Sequence, residues 1–92
     1  MKIVHIVGTG TIGEPLIGLL SDFKKKLGID EVTFHKNTPL ISDRSKVQSL
    51  VNRGAILTTS KDKFVGFKNI NLDPIYTTED AIERASVVID CT

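Results

Sequence analysis

The segment Gly8-Thr9-Gly10-Thr11-Ile12-Gly13 places three glycines at the spacing GxGxxG, directly behind the apolar run KIVHIV. At that spacing glycines let a backbone leave a strand in a tight turn, come close to a bulky anion, and pack the next helix tightly on the strand. The chemistry this suits is capture of phosphate. Unpaired N–H groups at a helix start, with the positive end of the helix dipole, attract a phosphate that no Cβ obstructs. Gly8 then makes the turn, Gly10 leaves room for the phosphates and Gly13 allows the close helix contact, while amides around Gly10, Thr11 and Ile12 donate. A preceding buried strand and a following amphipathic helix form the context in which this spacing signals a dinucleotide site. The other reading is a glycine-rich corner without a cofactor, or one used for a mononucleotide or an S-adenosyl group.

A second diagnostic position is the end of the next strand, where an acid on the ribose 2′-hydroxyl selects NAD. This chain has His35-Lys36-Asn37-Thr38 there. No carboxylate stands ready to repel a 2′-phosphate; Lys36 offers a cation, and Asn37 and Thr38 offer hydrogen-bonding groups. That composition favours NADP or acceptance of both cofactors, against the reading of Lys36 as a solvated loop lysine. At the end of the last strand, Asp90 and Thr92 are placed to reach the ribose or nicotinamide side, with Asp90 equally suited to cap a neighbouring turn.

The remaining reactive types read as structural. His5 lies within the first strand, where a hydrogen-bonded histidine is the expected role. Cys91 suits a small buried apolar side chain, because no histidine and acid accompany it as a nucleophile requires. Lys24-Lys25-Lys26 fit the solvated side and end of the first helix. One cysteine and two histidines leave no metal site to be expected, and one cysteine excludes an internal disulfide. No catalytic residue is identified.

The elements that must position these groups follow from periodicity. Lys2–Val7 reads as a strand buried on both faces. A helix follows from Thr11, with Ile12, Leu16, Leu19, Leu20, Phe23 and Leu27 recurring at helical steps, Pro15 in its first turn and Gly28 past its end. Glu31–His35 is a second strand. After the loop KNTPLISD, Ser42 or Asp43 caps a helix carrying Val47, Leu50 and Val51 and closed by Gly54. Ala55–Thr58 is a third strand. Residues 60–72 read as a short irregular helix, a loop, or both, and Asp73-Pro74 as a turn. Thr77 and Asp80 open the helix TEDAIERA, and Ser86–Cys91 is a fourth strand. Strands alternating with helices predict an α/β, Rossmann-like, doubly wound parallel sheet of about four strands in the order 3-2-1-4, with the ligand crevice at the carboxyl ends of strands 1 and 4.

Ninety-two residues form one domain. A net charge of +1 gives no general attraction for nucleic acid. No apolar stretch of signal or membrane-span length occurs, so a cytoplasmic setting is expected and no membrane partner. In the predicted order the outer edge of strand 4, with Val87, Val88 and Ile89, is bare, and bare edges seek partners. Self-association through that edge is therefore expected.

Taken in order, VGTGTIG, HKNTP, VNRGA and ASVVIDCT make the chain resemble the amino-terminal part of the archaeal-type (type II) glyceraldehyde-3-phosphate dehydrogenases. The family's GxGTIG loop falls on Gly8, Gly10, Thr11, Ile12 and Gly13. Its Lys-Thr-x-Pro segment falls on Lys36 and Pro39, with Asn37 in place of the usual threonine, and Val7 stands where many relatives have asparagine. The resemblance implies a partial NAD(P)-binding Rossmann domain over residues 1–92 that commonly accepts NADP. It covers about the first quarter of a family member, judged by ordinary domain sizes. The family's catalytic cysteine, its histidine partner and the substrate-phosphate site belong to later segments, so this resemblance implies no aldehyde oxidation by these residues alone. The alternatives are a non-enzymatic nucleotide-sensing or self-associating Rossmann module, and a portion of another semialdehyde or amino-acid dehydrogenase.

Overall fold

The computed structural model describes residues 1–91; the expectation for Thr92 lies outside them. The element order is β1 (Ile3–Val7), α1 (Gly13–Asp22), β2 (Glu31–His35), α2 (Arg44–Asn52), β3 (Ala55–Thr59), α3 (Phe64–Asn69), β4 (Tyr76–Thr77), α4 (Thr78–Arg84) and β5 (Val87–Asp90). Every strand pair is parallel, and the sheet order is β4-β3-β2-β1-β5.

Five strands replace the expected four, so the order 3-2-1-4 requires correction. The four apolar strands keep their relative places, and the last of them is β5. The additional strand, Tyr76–Thr77, pairs with Thr58 and Thr59 on the outer side of β3. Two residues cannot display a period of two, which is why a strand of this length leaves no mark in the hydrophobic pattern. Residues 60–72 hold a 3-10 turn at Lys61–Lys63 and then α3.

Side chains alternate across each strand, so each face of the sheet can be followed through the register. Val4, Val32 and Ala55 lie side by side, as do Ile6, Phe34 and Leu57. These residues pack with Ile17 of α1, Val47 and Leu50 of α2, and Phe67 and Leu72 around α3 to form the core. The opposite face is more polar. His5, Thr33 and Ile56 form one row, and Val7, His35 and Thr58 the next. α4 crosses this face over β2: Thr78 Oγ1 is hydrogen-bonded to His35 Nδ1 at 2.6 Å, and the Arg84 guanidinium donates to both Glu31 oxygens at 3.0 Å. His35 and Glu31 are the two ends of β2, so α4 runs antiparallel to it. The Thr77 hydroxyl caps α4 by accepting from the Asp80 amide.

The first helix differs from expectation in extent and in orientation. α1 ends at Asp22, and turns carry the chain to Gly28, which has φ +69°. Its buried residues are Gly13, Ile17, Gly18 and Ser21. Leu16 and Leu20 are partly buried against the core, whereas Ile12 is 70% and Leu19 53% exposed, and Phe23 and Leu27 also face outward. PLIGLL is apolar on all sides, so periodicity alone does not choose a face. On the inner side Gly13 lies against the Gly8 turn, Gly18 against the Arg53 side chain and Ile17 in the core, and Leu19 and Phe23 are turned outward. Cys91 fills a partly buried position against the core, in keeping with its reading as a small apolar side chain. Among the described residues no helix is long and apolar enough to cross a membrane.

Candidate functional site

The chain leaves β1 at Val7 and turns at Gly8, whose φ of +103° is open to glycine and costly for other residues. The turn brings α1 back against the strand it has just left. A Cβ placed on Gly13 would lie 2.1 Å from the Gly8 carbonyl oxygen and 2.8 Å from its carbon. Gly13 is therefore required by the corner's own packing. Gly10 is not: a Cβ there would meet nothing within 4 Å. The exposed space beside Gly10 belongs to the cleft in front of the loop.

The loop leaves donors unused. Gly10 accepts from the Glu14 amide at 3.1 Å and Ile12 from the Leu16 amide at 3.2 Å, the start of the helical pattern. The amides of Gly10, Thr11 and Ile12 find no acceptor among the described residues, and no side chain caps α1 at Ile12. Unpaired amides at a ten-residue helix's positive end form a ready anion site.

Beside Gly10 lies a cleft of about 260 Å³, lined by Thr9, Gly10 and Glu14 from the loop and α1 and by Lys36, Asp43, Lys46, Val47 and Leu50 from the end of β2 and α2. Lys36 is held at the carboxyl end of β2, where its amide donates to the Thr58 carbonyl at 3.1 Å and continues the pairing with β3. Its ammonium lies 3.0 Å from Asp43 Oδ2. Asp43 ends a 3-10 turn, Ile41–Asp43, and immediately precedes α2, whose first turn carries Lys46. The lining thus contains two ammonium groups, two carboxylates, one hydroxyl and the glycine loop, with Val47 and Leu50 forming an apolar floor.

A search with models of known protein families finds no match to this chain, and no curated protein matches it.

The arrangement can hold an anion, since Gly10 with its free amide and the cations Lys36 and Lys46 line one cleft next to the start of α1. Its lining brings neither cysteine nor histidine to the cleft. Of the residues singled out from the sequence, Gly10 and Lys36 face each other across it, Gly8 and Gly13 build the corner, and Thr11 and Ile12 are exposed at the helix start. Asn37 and Thr38 are exposed beyond the strand end and do not line the cleft. Asp43, expected as a helix cap, makes no capping bond and faces Lys36 instead.

Sequence reasoning missed Thr9, Glu14 and Lys46 as lining residues. For Glu14 and Lys46 a signal existed: each occupies the first turn of a helix entered from the same edge of the sheet, and in a parallel sheet those turns surround one crevice.

The two histidines lie on the other face of the sheet, away from the cleft. Burial holds both imidazoles below their ordinary value; for His5 the nearby His35 adds to this, and for His35 the Glu79 carboxylate opposes it.

Proposed function

We propose that this chain binds a nicotinamide dinucleotide, NADP or NAD, with the pyrophosphate at the Gly8–Gly13 loop and the adenosine ribose toward Lys36. The observation that carries this reading is that Gly10, with its unengaged amide and open side, and the Lys36 ammonium line one cleft, with the unengaged amides of Thr11 and Ile12 following Gly10 in the same loop. Lys46 provides a further cation, and the edges of the core residues Val47 and Leu50 close the cleft behind it. The motif resemblance supports placing the chain as the cofactor-binding portion of a dehydrogenase of the archaeal-type glyceraldehyde-3-phosphate dehydrogenase kind. In such an enzyme an aldehyde captured by a cysteine thiol would give its hydride to the nicotinamide. The residues described here serve the binding step.

Calorimetric titration with NADP, NAD and ATP tests the proposal. Binding of at least one dinucleotide more tightly than ATP is expected; binding of none would reduce the loop to a structural corner. Lys36→Ala is expected to weaken NADP about tenfold, because a partly desolvated ammonium near a 2′-phosphate contributes on the order of 1–2 kcal/mol. NAD, which lacks that phosphate, should change little. Equal losses for both cofactors would remove Lys36 from the 2′-phosphate site.

A second reading, a self-associating module, draws on the sheet edge. Among the described residues β5 is an end strand of the sheet, paired with β1, and its Val87 and Val88 are 44% and 47% exposed, one toward each face. An apolar parallel edge of this kind pairs readily with another strand. Sedimentation over a wide concentration range is expected to reveal reversible dimers that Val88→Lys abolishes; a monomer at every concentration excludes the edge as an interface.

A further inference from the structure

Asp43 directly precedes the first residue of α2, a position from which aspartate ordinarily turns back to accept from the helix amides. It makes no such bond. Its carboxylate is committed to Lys36 at 3.0 Å, and the Lys36 side chain is only 12% exposed within the pair. Both residues line the cleft onto which Gly10 opens. Lys46, one turn further along α2, lines the same cleft and has no ion-pair partner among the described residues. Of the cleft's two cations, the one at the end of β2 is therefore neutralised from within.

From this geometry we infer that Asp43 is a specificity-determining residue that biases the site against a 2′-phosphate, an inference that rests on the dinucleotide reading above. The end of β2 carries no acid, yet the following turn delivers one to the same place. A ribose with a free 2′-hydroxyl presents a donor there, and the Asp43 carboxylate can accept from it while keeping its contact with Lys36. A 2′-phosphate brings about −1.5 to −2 charges. It must either lie beside the Asp43 carboxylate or displace it from Lys36, and both routes cost electrostatic free energy that NAD does not incur. The lysine thus makes NADP acceptable and the aspartate limits how strongly it is preferred.

Removing the carboxylate at constant shape isolates this effect. NADP and NAD are titrated calorimetrically into wild type, Asp43→Asn, and the double variant Lys36→Ala/Asp43→Asn, each first shown to be folded by its melting curve. Asp43→Ser repeats the charge removal with a residue equally able to cap α2, in case asparagine perturbs the turn. Asp43→Asn is expected to strengthen NADP binding about tenfold, to leave NAD within about threefold of wild type, and to lose its NADP gain when Lys36 is also removed. Unchanged NADP affinity in both charge-removed variants, or an equal gain for both cofactors, would overturn the role of Asp43 while leaving dinucleotide binding in place. If no form of the protein binds either cofactor, the dinucleotide reading fails, and the role of Asp43 fails with it.

Discussion

Gly13→Ala is expected to lower stability by about 3 kcal/mol, the upper end of the usual range for overpacking, and to lower the melting temperature by about 10 °C or more. The cause lies in the main chain. The added Cβ would sit 2.1 Å from the Gly8 oxygen, and no rotamer change can relieve a clash with a carbonyl. Either α1 must move away from β1, opening the contact between Ile17 and the core, or the turn at Gly8 must rearrange around its positive φ. Gly10→Ala provides the comparison. With nothing within 4 Å of the new methyl and an ordinary backbone conformation, it should leave stability unchanged or slightly raised, since alanine has the smaller unfolded-state entropy. The methyl would take up open space beside the loop, where Gly10 lines the cleft, so dinucleotide binding should weaken while the fold persists. Thermal melts paired with calorimetry separate the two glycines. Similar melting temperatures for both variants would mean that the corner tolerates displacement and that Gly13 is not a packing requirement.

The contrast between these glycines shows what the sequence makes legible. GxGxxG is a local pattern, and the turn, the close helix contact and the open side are fixed within a few residues of one another. The strands KIVHIV, EVTFH and AILT, and most of SVVIDC, were readable for a similar reason: short β-branched and apolar runs, with strict alternation in EVTFH, bounded by glycine and turn residues mark strands whichever neighbour they acquire. Features that depend on distant partners were not readable in this way. The inner face of α1 is chosen by the close approach of Gly13 and Gly18 to other elements, because Leu16, Leu19 and Leu20 would satisfy a helical period in more than one orientation. β4 exists because Thr58 and Thr59 present an edge to it. The Lys36–Asp43 pair depends on the 3-10 turn between them, and local capping preference assigns Asp43 a different task. The candidate site was therefore visible as a loop and a lysine, whereas its second side, formed by Asp43, Lys46, Val47 and Leu50, becomes visible only when α2 is placed.

The polar face of the sheet carries the other large expected effect, a loss of stability in mild acid. His5 is fully buried between β2 and β5, with its Nδ1 hydrogen-bonded to Thr33 Oγ1 at 2.7 Å and its Nε2 without a partner among the described residues. A proton on this ring would create a charge next to an unsatisfied N–H in a desolvated site. Accordingly its folded-state value lies below the ordinary 6.5, by burial first and by repulsion from His35 second. His35, partly buried and tied to Thr78 of α4, is lowered by burial while Glu79 pulls the other way. When the folded value is the lower one, the unfolded chain binds more protons, so stability rises with pH. The contribution is neutral above the ordinary imidazole value. Stability then falls as pH drops below about 6.5 and continues to fall until each folded-state value is reached.

Denaturant unfolding between pH 8 and pH 4 should therefore show a decline that begins before the carboxylates titrate. The double variant His5→Leu/Thr33→Val removes the ring together with the hydroxyl that would otherwise be left unpaired, an exchange that is commonly neutral or stabilising in a buried site. At pH 8 it should match or exceed wild type, and between pH 6.5 and pH 5 its decline should be clearly shallower, with the remaining slope assigned to His35. A double variant that follows the wild-type curve in that interval would show that His5 stays neutral in both states or admits its proton without cost. The acid sensitivity would then have to arise at the junction of α4 and β2, where His35 meets Thr78 and Glu79.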